Sequence, residues 1–280
     1  MKTLIKICSP LLILLFFWSC NTKKESSDIP LAERKSVEMV TNYGTMVMEL
    51  YNETPLHRDN FIKLVEEGAY DSLLFHRVIK NFMIQGGDPE SYTASSKDTL
   101  GDGDVSYTIA AEFNPDLFHI KGALAAARTN NPKRESSGSQ FYIVQGKVFN
   151  DSLLELSEST INSFLAKHFA TNDSLNKPIL EAIEKAKTEQ DTLLYRQLND
   201  RLDTIFKTYT NFEKYTIPEK HRTVYKSIGG TPHLDQNYTV FGQVLKGLEV
   251  IDSIASVETG MYDRPISDVR ILSARVLGKE

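Results

Sequence analysis

The sequence predicts a mainly-β domain, a sandwich or a barrel, interrupted by an α-helical insertion. Two observations carry this prediction. Short apolar runs bounded by Gly, Pro, Asn and Asp recur in the first half of the chain and again at its end. Between them, from about Asp151 to Ile228, the chain turns rich in Glu, Lys, Leu, Asn and Thr and takes up helical spacing.

The N-terminus is set apart first, because a targeting segment takes no part in the fold. Met1 to Lys6 carries two lysines and no acid, and Leu11 to Trp18 is an apolar run. That run is too short for a membrane span of about 20 residues. Ser19-Cys20 closes it, and the pattern resembles a bacterial lipoprotein lipobox, with Phe17 and Trp18 where Leu and a small residue are more usual. The resemblance implies a signal peptide over 1–19, a lipid on Cys20 and a polar tether over 20–35. A membrane-anchored lipoprotein of the cell envelope is expected, at the outer membrane and facing the periplasm. The other cysteine, Cys8, lies in the segment to be removed, so the core alone must hold the exported chain.

Composition narrows the partners and cofactors. The formal net charge is −5, and removing Lys2 and Lys6 makes it more negative still. With no long basic run, neither nucleic acid nor an anionic lipid surface is an expected partner. The six histidines, His57, His76, His119, His168, His221 and His233, show no His-Glu-x-x-His spacing. Without thiols no metal is expected, nor any other cofactor. Gly101-Asp102-Gly103-Asp104 lacks the ligand pattern of a calcium loop and reads as a Gly/Asp turn. Ser136 to Ser139 contains no nucleophile elbow.

The elements follow in order. Val37 to Val40 and Thr45 to Tyr51, joined through Asn42-Tyr43-Gly44, predict a hairpin in which Met46, Met48 and Leu50 share one face. Thr54-Pro55 marks a helix start, Phe61, Leu64 and Val65 recur at helical spacing, and Gly68 marks its end. Strands are predicted at 73–79, 82–84, 123–127, 141–144, 239–244 and 269–276, with a second helix from Gly247 to Ala255 before the last. Within the insertion, Ile179, Ile183, Ala186, Leu194, Leu198, Leu202, Ile205, Tyr209 and Phe212 form one amphipathic stripe with Pro178 in its first turn. Pro218 starts a shorter helix, through Tyr225, that ends at Gly229-Gly230.

The stretch richest in chemistry is Phe75-His76-Arg77-Val78-Ile79-Lys80-Asn81-Phe82-Met83-Ile84-Gln85-Gly86-Gly87-Asp88. Alone, a strand with one arginine among apolar residues reads most simply as a salt-bridged barrel wall. Two further stretches change that: Gly122 to Thr129 followed by Ser137-Gly138-Ser139-Gln140-Phe141-Tyr142-Ile143, and Pro232-His233-Leu234-Asp235-Gln236-Asn237-Tyr238-Thr239-Val240-Phe241-Gly242. In order and spacing the three resemble the cyclophilin family of peptidyl-prolyl cis/trans isomerases. Residues 36–148 and 232–280 together have about the size of one such domain, which leaves 149–231 as the insertion.

The resemblance implies a closed eight-stranded antiparallel β-barrel with a helix over each end. It implies Arg77 as the catalytic residue and a proline pocket of Phe82, Met83, Tyr142 and Leu234. Gln85 and Gln140 belong beside that pocket, His76 and Tyr238 on its rim, and Ala127 and Arg128 where the substrate backbone pairs. Arg128 stands where eukaryotic members carry asparagine, at a position that acts mainly through its backbone. His233 stands where they often carry a wall tryptophan, a departure that bears on cyclosporin affinity more than on catalysis. The expected partners are proline-containing polypeptide clients, and a monomer is expected. The rival function is a proline-binding chaperone module with incidental isomerase activity. Intact Arg77, Phe82, Met83 and Gln85 favour the enzyme, because a pure binder would tolerate loss of the arginine. The insertion begins after Gln140 and Tyr142 and ends before His233 and Leu234, so its helices are expected near the mouth of the site, suited to contacting long chains.

Overall fold

The computed structural model of the protein describes residues 33–278. The expected signal peptide, Cys20 and nearly all of the tether lie outside those residues. Alternating apolar residues build the first hairpin: β1 (Ser36–Thr41) and β2 (Gly44–Leu50) pair antiparallel with Val37 opposite Met48 and Met39 opposite Met46. These four side chains are fully buried, each contributing roughly 1.5–3 kcal/mol of apolar burial.

The remaining strands are β3 (Arg77–Ile79), β4 (Met83–Gly86), β5 (Thr108–Ile109), β6 (Ala123–Ala126), β7 (Ser136–Ser137), β8 (Phe141–Val144), β9 (Val240–Lys246) and β10 (Ile271–Val276). β5 and β7 form a small ribbon, and the other eight form one antiparallel sheet in the order β10, β1, β2, β9, β6, β8, β4, β3. Its two end strands share no ladder. The backbone ahead of β3 meets β10 instead: Ser72 N donates to Ile271 O, Ile271 N to Leu73 O and Phe75 N to Val269 O, each at 2.8 Å, and one isolated bridge joins Leu74 and Arg270. The closed barrel expected from sequence is thereby corrected to a half-barrel sheet with an irregular seam. Ser72, in the left-handed region at φ +68°, breaks the strand that a regular closure would need.

Helices α1 (Pro55–Glu66) and α6 (Leu248–Ala255) bury Phe61, Leu64, Val65, Val250, Ile251 and Ile254 in the same inner cluster as the first hairpin. Thr54, expected to cap α1, makes no side-chain cap bond. Glu112 does so instead, its two oxygens accepting from the Leu56 and His57 amides at 3.0 Å and its Oε2 lying 2.7 Å from His57 Nδ1. A carboxylate there satisfies orphan amides and faces the positive end of the helix.

The insertion holds α2 (Asp151–Asn172), α3 (Lys177–Thr188), α4 (Thr192–Thr208) and α5 (Glu219–Ser227). The single stripe expected over 179–212 is thus two helices. The chain reverses at Gln190, φ +58°, and Asp191 caps α4 by accepting from Leu194 N at 3.0 Å. Apolar spacing runs on through Gln190, which has neither Gly nor Pro beside it, so periodicity alone showed no break. Leu154, Ile161, Ile217 and Tyr225 of this segment pack with Phe118 and Ile120, which lie just before β6. Among the described residues no helix is long and apolar enough to cross a membrane.

Candidate active site

Strand alternation separates core from chemistry. On β4, Ile84 joins the inner cluster and Met83 an outer one; on β8, Phe141 and Ile143 face in while Tyr142 and Val144 face out. On β6, Leu124 and Ala126 face in, and Ala123 and Ala125 face out, followed by Ala127. Register then aligns one outer row across four strands, since Arg77 pairs with Gln85, Gln85 with Tyr142, and Tyr142 with Ala125. Leu234 and Tyr238 arrive from the segment ahead of β9. Together Arg77, Phe82, Met83, Gln85, Ala127, Arg128, Tyr142, Leu234 and Tyr238 line one depression of about 130 Å³.

Three residues expected at the site do not line the depression. His233 does not line the depression; it backs it, stacked on Phe82 with ring centroids 5.6 Å apart. Gln140 stands behind Gln85. His76 is buried beside a different cleft, with Leu100 and Arg264, because alternation turns it away from the face Arg77 occupies. Neither of its ring nitrogens has a partner. Burial pushes its pKa down to about 4, Arg77 and Arg264 push the same way and Asp88 opposes, so the ring is neutral.

The glutamines form an oriented chain. Gln140 Nε2 donates to the carbonyls of Gly101 and Gly103 at 2.9 and 2.6 Å, and Gln85 Nε2 donates to Gln140 Oε1 at 2.9 Å. Two carbonyls only accept, so Gln140 must present its amine to them and its oxygen to Gln85. Gln85 must then turn its own oxygen outward, where Arg77 Nη1 donates to it at 3.4 Å. The Gly101–Asp104 turn expected from sequence therefore supports Gln140. Asp88 Oδ2 accepts from Gly101 N at 2.5 Å, and Asp104 Oδ1 accepts from Ser139 N at 3.0 Å. Gly87, φ +89°, allows the close approach, since a β-carbon there would collide with the Ser139 carbonyl.

Arg77 has a second neighbour that sequence reasoning missed. Its Nε faces Asp263 Oδ2 at 3.5 Å, with the side chains 43% and 46% exposed. An ion pair so exposed contributes about 0–1 kcal/mol, so it restrains the guanidinium without removing it from a substrate. Asp263 and Tyr262 both take φ +59°, and no local pattern links that turn to β3.

Beneath the depression a buried polar chain holds Tyr142. Asp235 Oδ1 lies 2.8 Å from His119 Nδ1, and His119 Nε2 lies 2.9 Å from the Tyr142 hydroxyl. Asp235 Oδ2 accepts from the Tyr225 hydroxyl at 2.7 Å. Burial holds both phenols well above their ordinary pKa, so each keeps its proton to donate. With Nδ1–H turned to the carboxylate, His119 Nε2 is placed to accept from the Tyr142 hydroxyl. Gly230 lets this end of the insertion pass close to His119, whose carbonyl a β-carbon would strike.

Comparisons with known proteins bear on the family. A family model described as cyclophilin type peptidyl-prolyl cis-trans isomerase/CLD matches residues 36–194 and 222–276. A Staphylococcus haemolyticus protein named as a peptidyl-prolyl cis-trans isomerase is 30% identical over 244 residues, covering 87% of this chain and 91% of that protein. A Streptococcus pyogenes serotype M6 protein named as a bifunctional phosphatase/peptidyl-prolyl cis-trans isomerase is 31% identical over 243 residues, 86% of this chain. This chain spans only 38% of that relative's length. The crystal structure of a Cryptosporidium parvum cyclophilin type peptidyl-prolyl cis-trans isomerase matches with a TM-score of 0.52 at 19% identity, over 89% of this chain and 100% of that one. At that identity the structural likeness speaks to the fold.

Proposed function

The chain belongs to the cyclophilin-type peptidyl-prolyl cis/trans isomerases, and on that premise we propose that Arg77 accelerates Xaa-Pro rotation by stabilising the twisted amide. The observation that carries this is the placement of Arg77 and an apolar floor of Phe82, Met83, Tyr142 and Leu234 around one depression of about 130 Å³. An amide resists rotation with a barrier of roughly 18–20 kcal/mol because its nitrogen shares a lone pair with the carbonyl. In the twisted state the prolyl nitrogen regains that lone pair, and a donor aimed at it favours this state over either planar one. A guanidinium supplies the donor at any physiological pH, and an apolar surround strengthens the bond by excluding water. A rate gain of about 10⁴–10⁶ requires only about 5.5–8 kcal/mol of such preference. The floor residues hold the ring while the carbonyl side turns.

The test is a protease-coupled Xaa-Pro peptide assay on Arg77→Ala beside a thermal melt. The variant is expected to melt as the wild type does and to lose most of its activity; a folded variant with nearly full activity removes the arginine from the mechanism.

The substrates are proposed to be proline-containing segments of exported proteins, met at the cell envelope by a monomeric lipoprotein anchored through Cys20. The charged and apolar segments ahead of Ser19-Cys20 support this. Fractionation of Cys20→Ala in a lipoprotein-competent bacterium tests it. The variant should leave the membrane fraction, and pelleting equal to wild type would rule the lipid out as the anchor.

A further inference from the structure

A cleft of about 490 Å³ opens beside the proline pocket, between the 128–134 loop and helices α2, α3 and α4. Arg128 lines both depressions, and Asn237, the neighbour of pocket residue Tyr238, lines the cleft, so the two adjoin there. The loop side of the cleft is cationic. Arg128 donates to the carbonyls of Asn237 and Thr129 and to the Asn237 amide oxygen, and lies 4.8 Å over the Tyr238 ring. Arg134 donates to Gln236 O at 2.8 Å, lies 4.5 Å over the Phe113 ring, and keeps its Nε buried without a partner. Lys167, on the α2 side, lies 5.5 Å over the Phe206 ring. Among the described residues none of these three cations forms an ion pair within 4.0 Å.

The cost of this arrangement is visible in two places. Burial, and then Arg128, bring the Arg134 pKa down to about 10, and burial and the two arginines also push His168 down. Arg134 sits in the left-handed backbone region at φ +58°, where long side chains are rare and which recurs at ligand sites. Uncompensated guanidinium groups beside apolar walls attract carboxylates. Glu184 and Asp203 stand on the α3 and α4 side, which confines an incoming acid to the loop side.

We propose that this cleft is an extended subsite that takes an acidic side chain of the polypeptide substrate, a few residues along from the proline, onto Arg128 and Arg134. The proposal rests on the isomerase reading of the adjoining pocket. An extended chain advances about 3.3–3.6 Å per residue, so one spacing between acid and proline should be preferred.

The probe is a set of otherwise identical Xaa-Pro peptides in which Glu, or Gln as its neutral match, is placed in turn at each position up to four residues either side of the proline. Exchange between cis and trans forms is read by NMR on the full chain. At one position Glu should raise kcat/KM over Gln by about three- to tenfold, as a partly desolvated ion pair would, and the ratio should fall towards one as salt rises. Arg134→Gln should bring the ratio to about one and Arg134→Lys should keep part of it. Equal Glu and Gln rates at every position on an active enzyme would overturn the subsite, as would a ratio untouched by both salt and Arg134→Gln. No exchange on any peptide would instead fail the isomerase reading and the subsite with it. Should Arg134→Gln not fold, the salt dependence of the wild-type ratio decides the matter.

Discussion

The Tyr225 hydroxyl, on the last helix of the insertion, donates to Asp235 Oδ2 at 2.7 Å, and Asp235 continues through His119 to the Tyr142 hydroxyl in the floor of the proline pocket. The chain is nearly shut from solvent, with Asp235 2% and His119 1% exposed. A buried carboxylate that loses a donor keeps its desolvation cost, which is why single bonds in such chains count for more than surface ones. Tyr225→Phe is therefore expected to lower stability by about 1.5–3 kcal/mol and to lower peptide kcat/KM several-fold. Urea unfolding, peptide exchange and the ring resonances of Tyr142 should be read on the same sample. Unmoved Tyr142 resonances with wild-type turnover would mean that the insertion does not influence the pocket. In a Tyr142→Phe background Tyr225→Phe should cost no further activity.

The glutamine chain makes a second, separable prediction. Gln140→Leu removes the acceptor that orients Gln85, and Gln85 then no longer has to turn its oxygen towards Arg77. Gln140 does not itself line the pocket, so its expected effect is one of positioning: kcat/KM lower by about tenfold, the worth of roughly one oriented hydrogen bond. A double-mutant cycle with Arg77→Ala separates this from general damage. If Gln140→Leu lowers the residual activity of Arg77→Ala by the same factor, the effect does not run through the arginine.

The residues of the outer row came from the resemblance, and the structure supplies the physical reason they share a face: Met83, Ile84 and Gln85 divide into out and in by period two, and so do Phe141, Tyr142 and Ile143. Read as sequence, 82–84 and 141–144 are short apolar runs with no face assigned. The role of Arg77 and the strand count came from resemblance, since one arginine in a strand reads equally as a wall. What stayed hidden is long-range: Glu112 at the start of α1, Asp263 beside Arg77, and the seam at Ser72 each join segments that no local pattern connects. His76 was placed on the rim by the resemblance, yet as the neighbour of Arg77 it faces the opposite way.

That same burial of His76 makes stability depend on pH. Its folded pKa, about 4, lies below its ordinary value of 6.5, so the unfolded chain binds a proton that the folded ring refuses. Stability from this group is whole above 6.5 and falls as pH drops towards 4, by about 2 kcal/mol at pH 5. Urea unfolding of wild type and His76→Leu at pH 7 and pH 5 measures it through the difference in slopes, whatever the substitution itself costs. Equal losses in the two proteins would show that the buried ring is not the source.

The insertion can be tested only in part, because α5 carries Tyr225 and the segment covers Phe118 and Ile120. Removing 151–228 whole would strip the donor from Asp235 and expose apolar surface next to His119, so any loss of activity would be ambiguous. α3 and α4 are more separable. The Tyr209 hydroxyl donates to Asp173 Oδ2 at 2.8 Å, which brings the two ends of that excursion together. A short Gly-Ser linker in place of 174–208 should close this gap while leaving α2, α5 and the chain to Tyr142 intact. Turnover of a tetrapeptide, which occupies only the pocket, is expected to stay within about twofold. Catalysed refolding of a proline-limited protein should slow by more, because a long chain loses the far wall of the cleft and the helical surface at the mouth. Both rates should be taken on the same pair of proteins after melts show that each is folded. Equal slowing on peptide and protein would defeat the idea that α3 and α4 serve long clients, and slowing of the peptide alone would make them part of the pocket wall.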